Sequence, residues 1–304
     1  WDSVVKAYRD NGDGRQIEII YTDLASNDFS TLFRMMQGMQ GEATHAYQVN
    51  HENVFVHGCG TGFHKQLMRN GSLNLGFSAT AMHYVSAKPS EIPNHVHATR
   101  AEGEVRAAFA AQAASDWEHI LLGRAAELMP GGRFICLNFG IDGDGRYLGN
   151  TGGQHMFDNF DKHWRALRDE RVITDNEYEK ATFAQYYRDL DEFRAPFDDS
   201  DSSVRRAGLR LKSITSQLTK CPYEAAFLNS SGTMSNAEYA ATLIPTMRSW
   251  SETVFRTALE GRGSGEIDRI VDQFYGNYEA EVAANPAGHA MDYVHIILDI
   301  EKVS

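Results

Sequence analysis

Ile17-Glu18-Ile19-Ile20-Tyr21-Thr22-Asp23-Leu24-Ala25-Ser26-Asn27-Asp28-Phe29 is the stretch whose reading decides the fold. A run of apolar, partly β-branched residues ends on an acidic residue and breaks into a polar turn, the pattern of a buried strand and a tight loop. In nucleotide-binding α/β folds, a carboxylate at the carboxyl end of the second strand accepts hydrogen bonds from ribose hydroxyls. Asp also opens ordinary turns. Asp23 therefore draws its weight from what the rest of the chain does.

The rest of the chain alternates. Asp2–Asn11 reads as the end of a helix, and strands are expected at Ile17–Thr22, Asn53–His57 and Ser72–Phe77. Glu104–Leu128 has helical periodicity through Phe109, Trp117, Ile120, Leu121, Ala125 and Leu128, with Pro130-Gly131-Gly132 as its terminator. Arg133–Phe139 is an apolar strand, and Gly140–Gly153 a glycine-rich loop. Helical patterns follow at Gln154–Asp169 and Thr174–Asp189, then a polar loop at Asp198–Ser203. A strand near Leu209–Thr215, helices at Ala237–Leu259 and Ile267–Ala284 and a last strand at Tyr293–Val303 complete the chain. Such alternation predicts an α/β protein with a mostly parallel sheet covered on both faces, and a helical cap inserted after Arg133–Phe139.

Composition bounds the partners. With 304 residues, 42% hydrophobic and 23% charged, the chain can bury a substantial core. Its net charge of −12 argues against nucleic acid or an anionic membrane. Cys59, Cys136 and Cys221 are far apart and lack CxxC spacing, which fits reduced thiols in a cytoplasmic protein and supplies no zinc site. No apolar run approaches the roughly 18 residues of a membrane span.

Asp23 to Phe33 resembles the "NDLPGNDFNTLF" motif of the SABATH methyltransferases, S-adenosylmethionine-dependent enzymes that methylate carboxyl groups of small acids and nitrogens of xanthines. Further likenesses follow in the same order. Gly62 to Met68 resembles "SFYGRLFP", Ser72-Leu73 with Ser78 to Ser86 resembles "SSYSLHWLS", and Pro130 to Arg133 resembles the "PGGR" turn. Trp164 to Ile173, Tyr186 and Glu192 track the family's cap.

The resemblance implies a Rossmann-like methyltransferase fold, with a seven-stranded, mostly parallel sheet and a helical cap inserted after the fifth strand. It divides the chain into a cofactor-binding core at 1–141, a cap at 142–206 and the remaining core with further cap helices at 207–304. It points to a bacterial member whose first strand, with its glycine-rich loop, would precede Trp1. It also implies a homodimer.

Carried over by position, Asp23 would bind the ribose and Leu24 would pack on the adenine; Gly62, Phe63, Ser78 and Ala79 would complete the cofactor contacts. Gly62 stands where the family has Ser, so a hydroxyl contact is lost. Thr80, His83 and Tyr84 fall where the family has a Tyr, a variable Met or His, and a Trp that donates its N–H to the substrate; the phenol of Tyr84 is an equivalent donor. Met156, Phe157, Tyr186, Met247 and Trp250 would wall an apolar acceptor pocket, although apolar stripes at helical spacing are also ordinary core.

Other chemistry has no footing in the sequence. His95 and His97 lack a third metal ligand, Asp142 and Asp144 lack EF-hand spacing, and no G-x-S-x-G elbow is present. A carboxylic acid is already ionised at pH 7, so its methylation needs positioning and no general base. The expected reaction is methyl transfer from S-adenosylmethionine to a small, aromatic carboxylic acid, with no catalytic acid–base residue. Two alternatives stay open: N-methylation of a small heterocycle, and a non-catalytic methyltransferase-like binding protein.

Overall fold

The computed structural model describes residues 1–304 and divides into two compact units, Trp1–Arg69 and Asn70–Ser304. In the first unit, α1 (Asp2–Asp10), β1 (Ile17–Asp23), α2 (Phe29–Met36), α3 (Tyr47–Asn50) and β2 (Val54–Gly60) follow in order. The crossover through α2 makes β1 and β2 parallel, with Asp23 opposite Gly60 at their carboxyl ends. Val5, Ile19, Met36, Tyr47, Val54 and Val56 are buried together between helices and strands.

The second unit opens with β3 (Leu73–Ala79), α4 (Gly103–Glu127) and β4 (Leu128–Phe139). Four helices then separate β4 from the next strand: α5 (Met156–Asp169), α6 (Asp175–Lys180), α7 (Leu190–Asp198) and α8 (Ser203–Arg206). After β5 (Leu209–Thr219) come α9 (Pro222–Asn229), α10 (Asn236–Ala258), α11 (Ser264–Ala284) and β6 (Tyr293–Lys302). The sheet order is β3-β4-β6-β5, with β3 parallel to β4 and β6 antiparallel to both of its neighbours. Strict alternation along β6 buries Val294, Ile296, Leu298 and Ile300 completely on one face. No helix is long and apolar enough to cross a membrane.

Three expectations need correction. Six strands form, in separate sheets of two and four, not one sheet of seven. All six coincide with apolar runs legible in the sequence; the seventh came only from the family resemblance. Pro130-Gly131-Gly132 does not end the long helix, which stops at Glu127, but lies inside β4 at a register shift opposite Leu73–Leu75. A Cβ on Gly132 would lie 2.8 Å from the Met129 carbonyl oxygen, so only glycine fits this bulge.

The third correction shapes the site. The helical pattern over Thr174–Asp189 forms a helix only at α6; a capping box between Thr174 and Glu177 starts it. Beyond it the chain runs extended because its backbone groups find partners elsewhere. Phe183 N–H donates to the Val96 carbonyl at 2.8 Å, Tyr186 N–H to that of His83 at 2.8 Å, and Ile141 N–H to that of Arg188 at 3.0 Å. Tertiary hydrogen bonds here outweigh a weak helical propensity.

Candidate functional site

In the first unit the carboxyl ends of the two parallel strands lie side by side, the position where open α/β sheets bind ligands. Asp23 ends β1, and its carboxylate accepts from the Leu24 N–H at 2.7 Å and from the Asn27 amide at 2.5 Å. Each oxygen keeps lone-pair capacity for a further donor. A Cβ on Gly60 would lie 3.2 Å from the Ala25 Cα, so a bare backbone lets the two loops approach. A Cβ on Gly62 would lie 3.4 Å from Leu24 Cδ2, and Leu24 is 60% exposed. Phe63 lies against His64 with ring centroids 4.3 Å apart. A cavity of about 290 Å³ opens beside Asp23, lined also by Tyr21, Asn27, Asp28 and Leu32.

In the second unit Ser78 and Ala79 end β3, paired with Cys136 and Leu137 of β4. Thr80 then takes a positive φ of 52°, an outlier for a β-branched residue, pinned by its N–H on the Leu137 carbonyl at 2.8 Å. That turn sends Met82 and His83 inward and leaves Tyr84 38% exposed. Tyr84 pairs through its backbone with Gln185 of the extended segment.

His83 is buried among the rings of Tyr84, Phe139 and Tyr187, with centroids 4.6, 5.0 and 5.6 Å away. Burial drives its imidazole down to about 3; Asn138 opposes this, while Arg188 and His295 push the same way. It is therefore neutral at pH 7 and useless there as a base. Burial likewise raises the Tyr84 phenol, so it remains a donor. The Cys136 thiol, pushed by burial up to about 12, is inert. Arg188 is buried beneath this turn and donates to the carbonyls of Met82 at 2.8 Å and Ala113 at 2.5 Å.

The expected wall residues separate into two groups. Met156, Phe157, Met247 and Trp250 belong to one aromatic cluster, in which Trp250 meets Phe157 and Phe160 edge-on. Tyr186 belongs to another cluster, with Val85 and Phe109, and its hydroxyl donates to Glu192 at 2.6 Å. Its neighbour Tyr187 points the other way, toward His83, His97, Phe139 and Phe157. Side chains alternate along extended backbone, and a helical reading of this segment conceals that alternation. Two further polar residues were missed. His97 stacks on Phe157 with centroids 3.8 Å apart, and Asn138 of β4 is fully buried. The polar residue at the end of an apolar strand was the only signal for Asn138.

Asp142 is no cation ligand in waiting. It closes its turn by accepting from the backbone N–H groups of Asp144 and Arg146 at 3.0 and 2.9 Å, and from the Arg146 guanidinium.

The family described as SAM dependent carboxyl methyltransferase matches residues 2–303. The chain belongs to that family. Gibberellic acid methyltransferase 1 of Arabidopsis thaliana is 27% identical over 60% of the chain and 50% of its own length. Indole-3-acetate O-methyltransferase 1 of Oryza sativa subsp. japonica is 27% identical over 63% of the chain and 52% of its own length. The chain thus spans about half the length of these curated relatives. A solved loganic acid methyltransferase with SAH superposes with a TM-score of 0.72 at 15% identity, covering 100% of this chain and 78% of that one.

Proposed function

We propose that this protein transfers a methyl group from S-adenosylmethionine to a carboxylate oxygen of a small acid. The observation that carries the reading is the family match over residues 2–303, nearly the whole chain. The sulfonium methyl of S-adenosylmethionine would supply the electrophile. In the first unit, Asp23 would accept from the ribose hydroxyls, while Leu24 and Gly62 would pack on the adenine with Phe63. The fit is physical: Asp23 has unused acceptor capacity, and the glycines keep the loop shallow. Ser78 and Ala79 would be further cofactor contacts, as the resemblance to the family implies.

The acceptor's carboxylate arrives ionised, so what remains is to hold it and strip it of water. Tyr84 and neutral His83 would orient it by hydrogen bonds from the turn that Thr80 fixes. Neither would move a proton; His83 could not, with burial holding it near a pKa of about 3. The field of buried Arg188, which lowers His83, would favour an anion at this end of the site. Met156, Phe157, Met247 and Trp250, in a cap over 142–206 and in α10, would form the apolar wall.

Replacing Tyr84 by Phe tests the assignment. Loss of one hydrogen bond to a charged acceptor predicts a fall of about tenfold or more in kcat/KM with S-adenosylhomocysteine affinity intact. Equal loss of both would remove Tyr84 from the acceptor site.

A further inference from the structure

Four buried polar atoms around Tyr187 complete no hydrogen bond of ordinary geometry, although the Asn138 amide lies beside His83 and Gln185 beside His97: His83 Nδ1, His97 Nε2, and both the nitrogen and oxygen of the Asn138 amide. Unpaired buried polar groups are rare and call for a reason. The four belong to one neighbourhood. The His83 and His97 rings lie 5.6 and 4.8 Å from the Tyr187 ring, and the Asn138 amide acts directly on the His83 ring.

The tautomer of His97 follows from its contacts. Its Nδ1 accepts the Thr99 N–H at 3.2 Å, so Nδ1 carries the lone pair. Burial holds the ring neutral, so its single proton sits on Nε2, and that N–H lies near Gln185 without completing a hydrogen bond of good geometry. Stacking on Phe157 at 3.8 Å fixes the plane in which it points. Asn138 adds one donor and one acceptor, the pair that a hydroxyl satisfies. The walls are aromatic and neutral, so a second charged group would be badly placed there.

We propose that His97 and Asn138, with Tyr187 between the two histidines, form a polar subsite that reads an oxygen substituent of the acceptor acid, a hydroxyl or keto oxygen away from the carboxylate. The inference rests on the carboxyl-transfer reading and narrows its substrate class. A site built to pair such an oxygen rejects the analogue without it far more strongly than an apolar pocket rejects a missing methylene.

The test uses matched acids, benzoate with 3- and 4-hydroxybenzoate and phenylacetate with 4-hydroxyphenylacetate, each assayed for methyl ester formed from S-adenosylmethionine. The wild-type chain should favour one hydroxylated member of a pair by about tenfold or more in kcat/KM, and His97→Phe should cut that preference to within about threefold. His97→Gln, which restores an N–H donor, should recover part of it. Should His97→Phe fail to fold, Asn138→Leu is the second variant, with the same loss of preference expected. Methylation that ignores the hydroxyl, or a preference that survives both variants, overturns the subsite and leaves water as the partner of these atoms. Methylation of no acid overturns the carboxyl-transfer reading and the subsite with it.

Discussion

Substituting His83 by Phe should make the protein more resistant to acid, and the size of the effect can be worked out. In the native state burial holds His83 near about 3, against 6.5 for an exposed histidine. Between these values the unfolded chain binds a proton that the native protein does not, so stability falls as pH falls through that window. From pH 7 to pH 5 the loss for one such histidine is about 2 kcal/mol, roughly thirtyfold in the folding equilibrium. Urea titrations of wild type and His83→Phe at both pH values give the double difference, in which the other titrating groups cancel. The variant should lose about 2 kcal/mol less than wild type over that interval. Burial also lowers His97, so His97→Phe should shift the pH dependence in the same direction. Identical pH dependence in wild type and variant would show that His83 is protonated inside the folded protein, and would refute its role as a neutral donor.

Two further outcomes are expected. Arg188→Met loses two bonds from a charged donor, about 3–6 kcal/mol, but also removes a buried charge whose depression from 12.5 to about 10 offsets roughly 3 kcal/mol. The net destabilisation should be no more than about 3 kcal/mol by urea titration, with KM for the acid rising because the Met82–Tyr84 turn loosens. Asp23→Asn keeps an acceptor for the Leu24 N–H and so should leave the melting temperature nearly unchanged. Its S-adenosylhomocysteine affinity by calorimetry should drop about tenfold or more, as charge-assisted bonds to the ribose weaken.

The elements best read from sequence are those whose stability is local or strongly periodic. β1, the long helix α4 and the alternating β6 all lie within a few residues of expectation. Thr174–Asp189 was misread because its extended half is held by Val96, His83 and Ile141, partners remote in sequence. Tyr186 came forward from the family resemblance, and the helical reading hid the opposite orientation of Tyr187. The place of Asp23 at the end of β1 was legible because a strand ending on an acid is a local pattern. His97 was visible only as half of a failed metal pair, since its environment is made by Phe157 and Tyr187. Pro130-Gly131-Gly132 read as a helix terminator because the bulge it forms depends on the neighbouring strand β3.

The measurement that bears most directly on the central claim is transfer of isotope-labelled methyl from S-adenosylmethionine to a panel of small carboxylic acids and nitrogen heterocycles, with the products tested for release of methanol by base. Label in a base-labile ester of a carboxylic acid is the predicted result. Label on a heterocycle nitrogen in base-stable form, or no transfer to any acid, would contradict it.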